Sequence, residues 1–460
     1  MHVVLISTYE LGHQPFGLAS PAAWLRQAGA AVTCLDLAVQ PLDPAAIAAA
    51  DLIAFYIPMH TATRLAVSLV ERIKRLNPTA HLCFYGLYAP LNEAFLRQLG
   101  AQTILGGEFE TGLVSLYQRL ISHGSDHQPI PQPEALISLD RQMFRLPDRA
   151  GLPPLSAYAS LHLADGQRRA VGYTEASRGC KHLCRHCPIV PVYAGRFRIV
   201  QAEVVQADIR RQVEAGAAHI TFGDPDFFNG PGHVLPLLKA FQAEFPGLTY
   251  DVTIKVEHLL KYAGHLPFLR ETGCLFVTSA VEAVDDEILR ILAKGHTRAD
   301  FIQVVSLLRR VGLTLNPTFV AFNPWISLAG YQDWLRLMAE LDLVEHIAPI
   351  QYAIRLLIPA GSRLLELPAV RDLVGPYDQA ALVYPWSHPD PAVDQLQRRV
   401  FELVRSSAAK TEPRRGVFAR VWRLTQEALG ASSAEIVFSP PSDYNLTAAP
   451  LPQLSEPWYC

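Results

Sequence analysis

The sequence predicts an α/β protein: a doubly wound parallel sheet first, then a second run of alternating strands and helices, then a small, mostly helical extension. Three observations carry this reading. Short apolar runs alternate with helical spacings from residue 2 to 121, and again from 169 to 358; that alternation is the pattern of βαβ units around a parallel sheet. Three of the seven cysteines fall within eight residues, at the end of the first strand of the second run. Half of the residues are apolar and 18% are charged, a globular balance in a chain of 460 residues, long enough for two or three domains.

In the first unit, 1–122, the strands are expected at 2–7, 31–36, 51–57, 81–85 and 102–105, with helices at 22–30, 45–50, 63–76, 91–99 and 109–121. Ligands of such sheets sit beyond the carboxyl ends of the strands. That edge carries His13, His60 and Arg64, and the turn Gly106-Gly107-Glu-Phe-Glu110. Cys34 and Cys83 lie inside strands and read as buried apolar residues. Residues 123–168 are polar and proline-rich, hence a linker. The second unit, 169–365, has strands expected at 169–176, 218–222, 249–255, 274–279, 313–322 and 350–358. The extension, 366–460, holds helices expected at 393–408 and 414–429, whose arginines read as a solvated face, and a proline-rich, cysteine-ended tail.

The chemistry concentrates in Arg178-Gly-Cys180-Lys-His-Leu-Cys184-Arg-His-Cys187-Pro188. Thiolates spaced C-x3-C-x2-C suit a shared metal centre, and three ligands suit a four-iron cluster with one iron left open. A zinc set completed by His182 and His186, or a disulfide, are the alternatives. Arg178, Lys181 and Arg185 would place positive charge around the thiolates.

The triplet resembles the signature of the radical S-adenosylmethionine (SAM) superfamily. The resemblance implies a partial (β/α)6 barrel, a [4Fe-4S] cluster on Cys180, Cys184 and Cys187, and reductive cleavage of SAM to a 5′-deoxyadenosyl radical. It implies further site residues. His186 stands where an aromatic residue packs near adenine. Gly223-Asp224-Pro-Asp226 stands where the methionyl amino group is bound, with an ordinary turn as the alternative. Ser279 and Glu282 would contact ribose or the methionyl group, and Lys294-Gly-His-Thr297 matches a Lys-Gly-x-Thr that follows one helix later. Lys255 at the mouth would pair with a carboxylate or with Glu257. Arg355, in the sixth strand, would hold the SAM carboxylate or an acidic substrate, with a buried salt bridge as the alternative.

The first unit resembles the cobalamin-binding domain that precedes many radical SAM barrels. Gly106 and Gly107 would then let the backbone approach a flat macrocycle. The ligating D-x-H-x-x-G is absent, Glu10-Leu-Gly-His13 echoing it poorly, so cobalamin itself stays open beside a domain that only packs on the barrel. The end, Glu456-Pro-Trp-Tyr-Cys460, resembles a radical SAM group with a cysteine or selenocysteine tail, and a selenocysteine codon would follow Cys460. The implied function is a radical SAM enzyme, cobalamin-dependent methyl transfer being one outcome. The rival is a non-catalytic binder of a metal or soft element.

A net charge of −3 gives no reason to expect nucleic acid or a membrane surface as a partner. The expected partners are a small-molecule or peptide substrate and an electron donor such as flavodoxin or ferredoxin. Few, clustered cysteines and no secretory start lead us to expect a cytoplasmic protein.

Overall fold

The computed structural model describes residues 1–122, 133–408, 412–430 and 451–455. The sequence features at 456–460, Cys460 included, lie outside the described residues.

The first sheet is parallel throughout. Its strands are β1 (His2–Ser7), β2 (Ala31–Asp36), β3 (Leu52–Tyr56), β4 (His81–Tyr85), β5 (Thr103–Gly107) and β6 (Ile137–Ser138), in the order β2-β1-β3-β4-β5-β6. Every residue of β3 is buried, as a strand covered by helices on both faces requires. One face packs around Ile53, Phe55 and Phe84; the other packs Val3, Leu5 and Leu52 against the helices Phe16–Gln27 and Phe109–Ser122. The last strand comes from the linker. Gly107, at φ +71°, accommodates it: a Cβ there would lie 2.2 Å from the Ser138 carbonyl oxygen. A Cβ on Gly106 would lie 2.6 Å from Pro90. Neither glycine tolerates a side chain, and Gly107 also lines the cleft between the two units.

The linker also enters the second sheet. Here β7 (Ser160–His162) runs antiparallel to β8 (Arg168–Thr174), which leads the parallel set β11 (His219–Phe222), β12 (Thr249–Thr253), β13 (Cys274–Glu282) and β14 (Thr314–Phe319). The short pair β9 (Ser177–Gly179) and β10 (Phe197–Ile199) forms a separate antiparallel ribbon. At the far edge, β15 (Gln453–Leu454) pairs with β7. The result is a curled half-barrel. Outward-facing Ile220, Phe222, Tyr250 and Val277 pack on the surrounding helices in a single large core; each such side chain contributes about 1.5–3 kcal/mol by leaving water.

The sixth strand expected at 350–358 does not form. Pro349–Tyr352 is a 3-10 turn, and a single parallel bridge, Phe322 to Arg355, follows β14. Gln351 explains the turn: its side-chain oxygen accepts the Phe319 backbone N–H at 2.9 Å, occupying a donor that a sixth strand would otherwise bond. The helices Pro391–Ala408 and Arg414–Ala428 pack on this side of the barrel through Leu396, Val400, Phe418 and Val421. Among the described residues, no helix is long and apolar enough to cross a membrane.

Candidate active site at the barrel mouth

The cysteine loop leaves β9 and returns through β10, so its two ends are gripped by one ribbon. The grip depends on Gly179, at φ +76°: a Cβ there would meet the Tyr193 ring at 2.4 Å and the Arg196 carbonyl at 2.6 Å. Cys180, Cys184 and Cys187 are all free thiols. Burial pushes the Cys187 thiol up to about 12, and the neighbouring Cys184 and Cys180 push the same way. Thiols grouped in one loop are held as thiolates by a bound metal, which iron would supply here. The donor set fits a [4Fe-4S] cluster.

The charges around the loop are not those expected from the sequence. Arg185 donates to the carbonyls of Arg290 and Ile291, and Lys181 lies over the Phe197 ring. The cation that faces the thiols is Lys294, 3% exposed, which interacts with Cys184 and Cys187 and lies 3.4 Å from Glu282. Its signal in the sequence was the Lys-Gly-x-Thr run. Glu282 takes the other side: His186 Nε2 is 3.1 Å from the same carboxylate oxygen. Burial opposes the Glu282 charge, yet Lys294 and His186 together hold its pKa at about 2. Glu282 also sits at φ +70°, the left-handed region that a non-glycine residue rarely occupies. Because His186 is committed to Glu282, the zinc set of His182 with His186 is not assembled. His182 instead faces Asp226 at 3.3 Å, and His258 approaches the same Asp226 oxygen at 2.7 Å.

Other expected residues are placed as follows. Asp224 lines the barrel cavity with both oxygens engaged: they take the Ala176 N–H at 2.9 Å and the Ser177 hydroxyl at 2.5 Å, tying β11 to the start of the cysteine loop. Gly223 is small because Tyr173 passes it; a Cβ would lie 1.9 Å from the phenol oxygen. Ser279 shares the outward face of β13 with Val277 and Val281 and is fully buried, since side chains alternate along a strand; Thr278 holds the inward position. Arg355 is paired with Asp394 at 2.6 Å and stacks on Trp386 at 3.5 Å, the salt-bridge alternative. Lys255 pairs with Glu257 at 3.2 Å. His60 bonds the Ala381 carbonyl at 2.7 Å.

The largest departure is Arg178. It does not serve the cluster. Its guanidinium is 7% exposed and forms the hub of a clasp between the two units. Nη2 lies 2.7 Å from Glu110, Nη1 donates to the other Glu110 oxygen at 2.9 Å, and Nε donates to Glu175 at 2.6 Å. Glu108 is 3.5 Å away. Gln142 of the linker donates to both Glu108 and Glu110, and the Phe16, Phe109 and Phe144 rings enclose the charge. Burial raises Glu108 and Glu175, while Glu110, though buried, is drawn down by Arg178.

Residues 174–323 match the family described as the radical SAM superfamily. The chain carries a radical SAM domain. Over 202 residues it is 24% identical to a tRNA-2-methylthio-N(6)-dimethylallyladenosine synthase of Chlorobium chlorochromatii, covering 42% of this chain and 44% of that protein. Over 333 residues it is 23% identical to the hopanoid C-3 methylase of Methylococcus capsulatus, covering 68% and 62%. The chain thus spans less than two thirds of these curated relatives. Its fold is similar to the cobalamin-dependent SAM radical enzyme OxsB, solved with aqua-cobalamin and SAM bound: TM-score 0.64 at 13% identity, covering 88% of this chain and 67% of that one. The radical SAM domain brings a [4Fe-4S] cluster and SAM as its cofactors, and the unit before it has the cobalamin-binding type of fold.

That type of fold would hold cobalamin in the cleft between the first sheet and the radical SAM domain, which measures about 180 Å³ and is lined by Tyr56, Phe109, Tyr173 and Arg178. Gly107 also lines it, so the cleft keeps a backbone edge on the side of the first sheet.

Proposed function

We propose that the chain is a radical SAM enzyme that acts on a small substrate bound in the barrel. The observation that carries this is the cysteine loop: three free thiols, fixed by one ribbon at the carboxyl end of the leading barrel strand, with Lys294 behind them. The cluster, when bound, supplies the electron that breaks a sulfur–carbon bond of SAM. The chain's own residues do the rest. Cys180, Cys184 and Cys187 would hold the cluster. Lys294, Glu282 and His186 form a polar row beside them, fit to orient a polar ligand. The half-barrel below shields a radical from water. The electron donor in this reading is a flavodoxin or ferredoxin. The terminal Glu456-Pro-Trp-Tyr-Cys460 is the sequence feature that supports the cysteine-tailed group.

Anaerobic reconstitution is the test. It should yield about four iron and four sulfide per chain, with 5′-deoxyadenosine formed from SAM only when reductant is present. Cys184→Ala should abolish that product. Tight zinc binding without SAM cleavage would defeat the proposal.

A further inference from the structure

The barrel interior is polar where a barrel core is ordinarily aliphatic. Inward positions of β11 to β14 carry Thr221, Thr253, Thr278 and Asn316, and they line a cavity of about 320 Å³. Two charged side chains face it. Asp251, 5% exposed, is fixed through one oxygen, which accepts from Thr221 at 2.7 Å and lies 2.9 Å from His219 Nε2. Its second oxygen has no hydrogen-bond partner among the described residues. Arg414, expected on a solvated face, is half-buried in the wall instead; Nη1 donates to the Glu345 carbonyl at 2.6 Å, and its other N–H groups have no partner among the described residues.

No other charge in the lining competes. Asp224 has both oxygens occupied. His13, in the roof, is held neutral by burial, its pKa near 4, and its Nδ1 is buried without a partner. Leu451 to Leu454 form one side wall. A buried carboxylate with one oxygen uncommitted is costly unless a donor completes it, and Arg414 brings uncommitted N–H groups to the same cavity. A ligand with one ammonium and one carboxylate would complete both, the carboxylate by the two-pronged contact arginine favours. The volume admits a small molecule and excludes a folded chain or a lipid tail.

We propose that this lumen binds a free α-amino acid or close zwitterionic analogue, ammonium toward Asp251 and carboxylate toward Arg414, as the substrate of the radical SAM domain. The inference rests on the function proposed above and names its substrate class.

The test is saturation-transfer NMR on the anaerobically reconstituted full chain, with S-adenosylhomocysteine at saturation to occupy the cluster-side site. The probes are free L-α-amino acids, each with its methyl ester and its N-acetyl derivative. At least one amino acid should bind, and its ester and N-acetyl forms should bind about tenfold more weakly or worse. Arg414→Gln should weaken the free acid by a similar factor and leave the ester unchanged. Asp251→Asn should weaken the free acid and leave the N-acetyl form unchanged; should that variant fail to fold, through loss of the His219 and Thr221 contacts, Arg414→Gln decides. Absence of binding by every amino acid, or equal binding of acid and ester, would overturn the assignment. SAM cleavage, read in the same preparation as 5′-deoxyadenosine, reports separately on the radical SAM reading.

Discussion

Replacing Arg178 with methionine should destabilise the protein by about 3–5 kcal/mol, because removing one partner of a buried ion pair leaves the other without compensation. Methionine keeps much of the volume among Phe16, Phe109 and Phe144, so the loss is one of charge rather than of packing. Glu110 is the residue left exposed to that cost, since it is fully buried and relies on the guanidinium for two contacts. At roughly 2–4 °C per kcal/mol for units of this size, the thermal midpoint should fall by about 10 °C, read by circular dichroism. Glu110→Gln should cost less, because its amide oxygen still accepts from Nη1 while its amide nitrogen can donate to the Ser20 hydroxyl. An unchanged midpoint in Arg178→Met would mean that the two units do not depend on the clasp.

Lys294→Met should leave iron binding intact and lower reductant-dependent SAM cleavage by an order of magnitude or more. A contact to a charged group is worth about 1.5–3 kcal/mol, and Lys294 makes one such contact to Glu282 while facing two cluster thiols. Removing it makes the surroundings of an anionic cluster more negative, which shifts its reduction potential downward. A redox titration followed by electron paramagnetic resonance separates this from simple unfolding. A variant with wild-type potential and wild-type cleavage would show that Lys294 is only a partner for Glu282.

The sequence made the two α/β units and the cysteine site legible for definite reasons. Period-two and all-apolar strands announce themselves, and three cysteines in eight residues have few other uses. What it left obscure depends on pairing across long separations. Arg178 stands two residues before a cluster ligand, so its charge reads as the cluster's. Its partners Glu108 and Glu110 lie some seventy residues earlier, in a turn whose glycines drew attention instead. Ser279 was one residue out of phase: the family-like turn pointed to it, but alternation along β13 buries it and turns Thr278 inward. Arg355 was expected to hold a ligand carboxylate or to form a salt bridge, and Asp394 is its partner. The 350–358 segment shows the limit of apolar patterning. Its residues suit a strand, and the Gln351 side chain takes the backbone donor that a strand would need.

The edge strand β15 has a consequence for how the protein is made. Ser455 donates its backbone N–H to the Ser160 carbonyl, and Ser160 donates back to the Ser455 hydroxyl across 295 positions of chain. At synthesis rates of about 5–20 residues per second, that contact waits roughly 15–60 s after Ser160 has been made. Until then the polar lumen lacks the wall formed by Leu451 to Leu454. That wall of the lumen is thus built late, by residues made long after the strand they pair with.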